Sequence, residues 1–130
     1  MATRILQIVY YPALLEVRRI LLEQAGYDVT SASNNEQGMS LASADSFDLI
    51  VVGFSADFTV RNELIQWLKQ HVPHTPVVAL LACDAEHFPD ADYEISENPQ
   101  FWLHGIAGCI ESKKSCTGKP EAIPIQAKAG

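Results

Sequence analysis

Basic residues are scarce in this sequence. Nine Lys and Arg stand against 16 Asp and Glu, for a net charge of −7, and Lys113-Lys114 is the only pair of adjacent lysines. Direct phosphate contacts to nucleic acid need clustered Lys and Arg, so nucleic acid is not expected as a direct partner. Cysteine is nearly as sparse. Cys83, Cys109 and Cys116 are an odd number without a CxxC spacing, which leaves free thiols in a reducing compartment as the expectation. His71, His74, His87 and His104 show no metal-ligand spacing with one another or with the cysteines, so no metal is expected. No apolar run approaches the roughly 18 residues that span a bilayer. The N-terminus has no charged segment leading into a long apolar stretch, which leaves no signal peptide and makes the cytoplasm the expected location. No internal repeat is present.

What remains is one domain with a substantial core, since 48% of the 130 residues are hydrophobic. The chain is organised around Leu49-Ile50-Val51-Val52, an unbroken, β-branched run that suits a central parallel strand buried on both faces. Arg4 to Tyr10 reads as the first strand. Pro12 then opens a helix reaching Gln24, with Leu14, Leu15, Val17, Ile20, Leu21 and Leu22 at helical spacing and Gly26 as its stop. Tyr27 to Ala32 is a second strand. Asn34 followed by Gln37 resembles a capping box for a helix to about Ala44.

Past the central strand, Ser55 to Arg61 reads as a loop and Asn62 to His71 as a helix burying Leu64, Ile65, Trp67 and Leu68. Val77 to Ala82 is a fourth strand, introduced by Pro73 and Pro76. Cys83 to Asp90 is polar and short for a helix with its connections. Tyr93 to Ser96 is a brief last strand, and Pro99 opens a helix to about Ile110 with Phe101, Trp102, Leu103, Ile106 and Ile110 as its apolar stripe. From Ser112 onward the composition suits a disordered tail or the start of a linker, which puts the domain at 1–111 and the tail at 112–130. Strands alternating with helices imply a five-stranded parallel sheet, doubly wound in the flavodoxin manner with helices on both faces and the fourth helix shortened or missing.

Four segments then resemble a known family. Arg4 to Leu15, Leu21 to Asn34, Phe47 to Val52 and Thr75 to Leu80 are similar to the corresponding segments of CheY-like response-regulator receiver domains. In that family an aspartate at the end of the third strand accepts a phosphoryl group. The chemistry needs that nucleophile, further acids to hold Mg²⁺, a Lys to offset charge, and a hydroxyl that responds to the new group. Position by position, the resemblance puts the acidic pair on Val9 and Tyr10, the acceptor on Gly53, the switch hydroxyl on Leu81 and the Lys on Asn98, just before Pro99. The Pro and Gly of the loop after the third strand fall on Asp57 and Arg61. Val9, Tyr10, Gly53, Leu81 and Asn98 lack the groups the family uses at those places, and the resemblance implies a degenerate, pseudo-receiver domain without cofactor.

Two functions follow as expectations. The first is a phosphorylation-independent module of two-component signalling, not an enzyme, that binds a protein partner through an edge formed by Tyr10, Tyr11, Phe54 and Phe58. Tyrosines are enriched at protein contacts, and they could equally fill space left by the lost carboxylates. The second is a small-ligand domain using the crevice at the carboxyl ends of the strands, where loss of charge suits an apolar or neutral ligand. Asp57 and Asp84 could form a relocated metal or phosphoryl site, although solvated loop carboxylates explain them too. Ser55 and Cys83 flank the same edge without a His to activate them.

Overall fold

Short β-branched segments build the centre of the molecule. β1 (Arg4–Ile8), β2 (Asp28–Ala32), β3 (Leu49–Val52), β4 (Val77–Leu81) and β5 (Tyr93–Ser96) form one sheet. In the computed structural model, which describes residues 3–53, 57–82, 87–98 and 101–115, the strand order is β2-β1-β3-β4-β5 and every pairing is parallel. β3 sits in the middle, and Leu49, Ile50, Val51 and Val52 are all buried.

The two-residue period of a strand divides this apolar set between two faces. Leu6, Ile8, Ile50, Val52, Val77 and Ala79 pack against α2 (Asn35–Ala44) and α3 (Phe58–His71). Ile5, Leu49, Val51, Val78, Leu80 and Ile95 pack against α1 (Pro12–Gln24) and α4 (Trp102–Ser115). Each fully buried Leu or Ile contributes about 1.5–3 kcal/mol, so the two layers together hold the sheet between the helix pairs. This is the doubly wound arrangement that the strand-helix alternation implies.

Several boundaries differ from the sequence-based expectation for identifiable reasons. β1 stops at Ile8, two residues before Tyr10, because there the chain leaves the ladder and turns into α1. α3 begins at Phe58, one turn earlier than Asn62, because the Asp57 carboxylate caps the helix by accepting a hydrogen bond from Thr59 N at 2.9 Å. That earlier start turns Arg61 from a loop residue into a helical one that faces inward. α4 starts at Trp102 and runs to Ser115, past the Ser112 at which composition suggests that order ends. The remainder of the proposed tail, residues 116–130, lies outside the described residues.

Two helix ends behave as expected. Pro12 opens α1, and Gly26 takes φ 102° just after the helix, where L side chains are strained. Asn34 caps α2 by accepting from Gln37 N at 2.8 Å, while the Gln37 side chain accepts from Ser33 N rather than from Asn34 N. Among the described residues no helix stands between β4 and β5. Phe88 fills that place instead. It is fully buried among the residues packed on α3, and its N–H donates to the buried carboxylate of Glu94, which also accepts from His87 Nδ1 at 2.9 Å.

The apolar stripe of α1 is the largest departure. Val17, Ile20 and Leu21 are exposed, and the residues α1 buries are Leu22 and Arg18.

Candidate functional site at the carboxyl edge of the sheet

In parallel sheets of this kind, chemistry collects just past the carboxyl ends of the strands. The registers align those ends, since Ile8 pairs with both Ala32 and Val52, and Val52 pairs with Ala79. Val9 and Gly53 are the next residues. Gly53 N donates to Ile8 O at 2.8 Å and Val9 N to Ala32 O at 3.0 Å, so both backbones remain part of the sheet. Val9 is buried, and neither residue presents a polar side chain to the edge.

A guanidinium occupies the space beside Gly53. Arg18, 4% exposed, reaches from α1 across the end of β3 to Glu97, where its Nη2 donates to Oε1 at 3.1 Å. Glu97 continues the β5 ladder through its N–H to Leu81 O at 2.9 Å. Along this path the Arg18 guanidinium lies over the Trp102 ring, 5.4 Å from its centroid. The missing side chain at 53 makes the path possible. A Cβ there would stand 3.0 Å from Arg18 Nη1 and 3.2 Å from Val9 Cγ2, closer than ordinary contact.

A second arginine approaches from the opposite face. Arg61 of α3 is fully buried, donates from Nη1 to Leu80 O at 3.2 Å, and lies over the Phe88 ring at 4.7 Å. Phe58 stacks on the same ring, its centroid 4.7 Å from that of Phe88.

Tyr10 is held in place. Its hydroxyl donates to Asn35 Oδ1 at 2.5 Å, and Asn35 Nδ2 donates to Val60 O at 3.0 Å, so the ring ties the edge to α2 and α3. Burial pushes the Tyr10 hydroxyl up to about 12, against the opposing effect of the Arg61 charge. Burial likewise pushes the Cys109 thiol up to about 12. Both groups therefore keep their protons in the folded chain at pH values where the unfolded chain loses them, near 9 for the thiol and 10 for the phenol. Their contribution to stability is complete below about pH 9 and is lost as pH rises from there to about 12. Urea midpoints recorded across that range should fall, and Tyr10→Phe should make the fall shallower above pH 10.

The other sequence candidates separate. Leu81 is half-buried and packs against the α2/α3 layer. Asn98 serves α4, its carbonyl accepting from Phe101 N at 2.8 Å and Trp102 N at 3.1 Å. Tyr11 and Phe58 are exposed, at 44% and 42%. The Asp57 carboxylate serves as the cap of α3, accepting from Thr59 N. Among the described residues, no three His, Cys, Asp or Glu side chains converge as metal ligands. Phe54, Ser55, Cys83 and Asp84 lie outside the described residues. Arg18 and Arg61 are what residue-by-residue reading misses, because a lone Arg inside an amphipathic helix, or in an apparent loop, reads as solvated.

The sequence matches no protein-family model and no curated protein. The fold, however, is shared with solved receiver domains. A CheY-like response regulator receiver domain protein from Methanospirillum hungatei superposes with a TM-score of 0.76 at 19% identity, covering 88% of this chain and 98% of its own. The signal receiver domain of an HD domain-containing protein from Pseudomonas fluorescens gives 0.73 at 17% identity, covering 88% and 99%. The response regulator TrrA from Thermotoga maritima, solved in complex with Mg²⁺-BeF, gives 0.68 at 18% identity, covering 74% and 87%. The chain has the CheY-like, flavodoxin-like fold of receiver domains. No helix among the described residues is long and apolar enough to cross a membrane.

Proposed function

We propose that this chain is a receiver-like signalling module that takes no phosphoryl group, turns over no substrate, and acts by binding a protein partner. The observation that carries this reading is the Arg18 guanidinium lying against Gly53 at the end of β3. The Thermotoga receiver was solved in complex with Mg²⁺-BeF, and such a metal needs hard oxygen ligands. Here Val9, Tyr10 and Gly53 supply no carboxylate, and a fixed cation stands in the same region. Receiver chemistry places an acid at the end of β3 and a base near the end of β5. In this chain Arg18 lies beside Gly53, the acceptor position, and Glu97 immediately precedes Asn98, the Lys position, so the charges next to those two places have the opposite signs.

Partner contact through the edge of Tyr11 and Phe58 fits their exposure. Tyr10, locked to Asn35, positions that edge and fills the former pocket. Incubation with acetyl phosphate and Mg²⁺, read by intact mass, tests the reading. No phosphoryl adduct is expected, and stoichiometric addition to an Asp contradicts it.

A further inference from the structure

Arg18 is under-supplied with acceptors. A guanidinium carries five N–H donors in a planar fork and never gives up its charge. In this chain Glu97 takes one of them at 3.1 Å, while Nε and Nη1 are buried and have no hydrogen-bond acceptor among the described residues. Burying a charge in this state is costly unless further acceptors complete it. The side chain lies at the edge where sheets of this class bind ligands, packed so closely on Gly53 that a Cβ there would stand 3.0 Å from its Nη1. A second buried cation, Arg61, stands on the other face of the same edge.

We infer that this edge is a metal-free receptor for a small oxyanion, a carboxylate or phosphate group, with Arg18 as the binding residue. Glu97 acts as the internal anion that the ligand competes with. This inference goes beyond the signalling-module reading and does not depend on it, and it replaces the neutral ligand that loss of carboxylates suggests from sequence alone. The charge at the edge has changed sign, so the ligand changes sign with it. Glu97 is the movable half of the pair, since its side chain is 27% exposed against 5% for Arg18. An entering oxyanion takes the unsatisfied N–H groups as Glu97 swings outward, exchanging one charge-assisted contact for several.

The test is an amide NMR titration of the folded protein with inorganic phosphate and, separately, acetate, each at constant ionic strength maintained with chloride. The inference predicts saturable shifts at Val9, Gly53, Glu97 and Trp102 with at least one of the two, and the preferred probe identifies the ligand's head group. Glu97→Gln should tighten binding about threefold or more by removing the competitor. Arg18→Met and Gly53→Asp should each weaken it about tenfold, the first by deleting the receptor and the second by supplying a tethered carboxylate. A merely structural Arg18–Glu97 bridge does not produce the gain in Glu97→Gln. Absence of saturable shifts with both anions overturns the inference, as does unchanged binding in Arg18→Met and Gly53→Asp.

Discussion

Phe88→Ala should destabilise the fold by about 3–5 kcal/mol, the cost of deleting a fully buried aromatic ring from a packed site. Phe88 lies in a polar segment, yet its side chain is completely buried and packs in the layer that also holds Leu64, Ile65 and Leu68 of α3. The ring carries the Arg61 guanidinium at 4.7 Å on one contact and the Phe58 ring at 4.7 Å on another. Truncation therefore leaves a cavity and removes the surface on which a buried cation rests. Phe58 is 42% exposed, so Phe58→Ala should cost only about 1 kcal/mol, the scale of one aromatic pair with partial burial. Urea denaturation of the two variants measures the difference. Equal losses would mean that the Phe88 segment is held by its backbone alone, through Glu94 and the Ala91 N to Phe88 O bond at 3.1 Å.

The Arg18–Glu97 pair should respond asymmetrically. Glu97→Gln leaves a buried guanidinium with a weaker acceptor and should cost about 2 kcal/mol. Arg18→Met replaces the charge with an apolar chain of similar length, set between Val9, Gly53 and Trp102. Such exchanges are often neutral or stabilising, so the change should stay within about 1 kcal/mol of the parent or exceed it in stability. In the Arg18→Met background, Glu97→Gln should lose most of its effect, because the residue then faces no buried charge. Thermal or urea unfolding of the four proteins closes the cycle. If Arg18→Met proves the more damaging substitution, the guanidinium is held for packing, through its stem and the Trp102 ring, more than for its charge.

The scaffold was legible in the sequence because its signals are local. Leu49 to Val52 is apolar and β-branched throughout, Pro12 and Gly26 bracket α1, and the Asn34-Gln37 spacing marks the start of α2. The edge was legible only as the expectation, from the family resemblance, that Val9, Tyr10, Gly53, Leu81 and Asn98 stand where the family has reactive groups. What replaces them depends on contacts distant in sequence, of which Arg18 to Glu97 spans 79 residues and Arg61 to Leu80 spans 19. Periodicity located α1 without settling which of its residues face the sheet, for the same reason. Six apolar residues spread around that helix, and the crossing of α1 over β1 and β2 puts Arg18 inward while leaving Val17, Ile20 and Leu21 outside. Phe88 escaped notice because a single aromatic among Asp, Glu, His and Pro has no period to report its burial. Asp57 was ambiguous until the start of α3 showed its carboxylate capping the helix.

On the proposed reading, a fixed cation, Arg18, stands at the carboxyl edge where receivers carry metal and phosphoryl chemistry. An amide NMR titration with Mg²⁺ followed by beryllofluoride, which mimics an aspartyl phosphate, tests it most directly. The account predicts no saturable shift at Val9, Tyr10, Gly53, Leu81 or Asn98 that requires the metal. Metal-dependent, saturable shifts confined to that edge would show that a carboxylate still assembles the receiver site there, and would contradict the account.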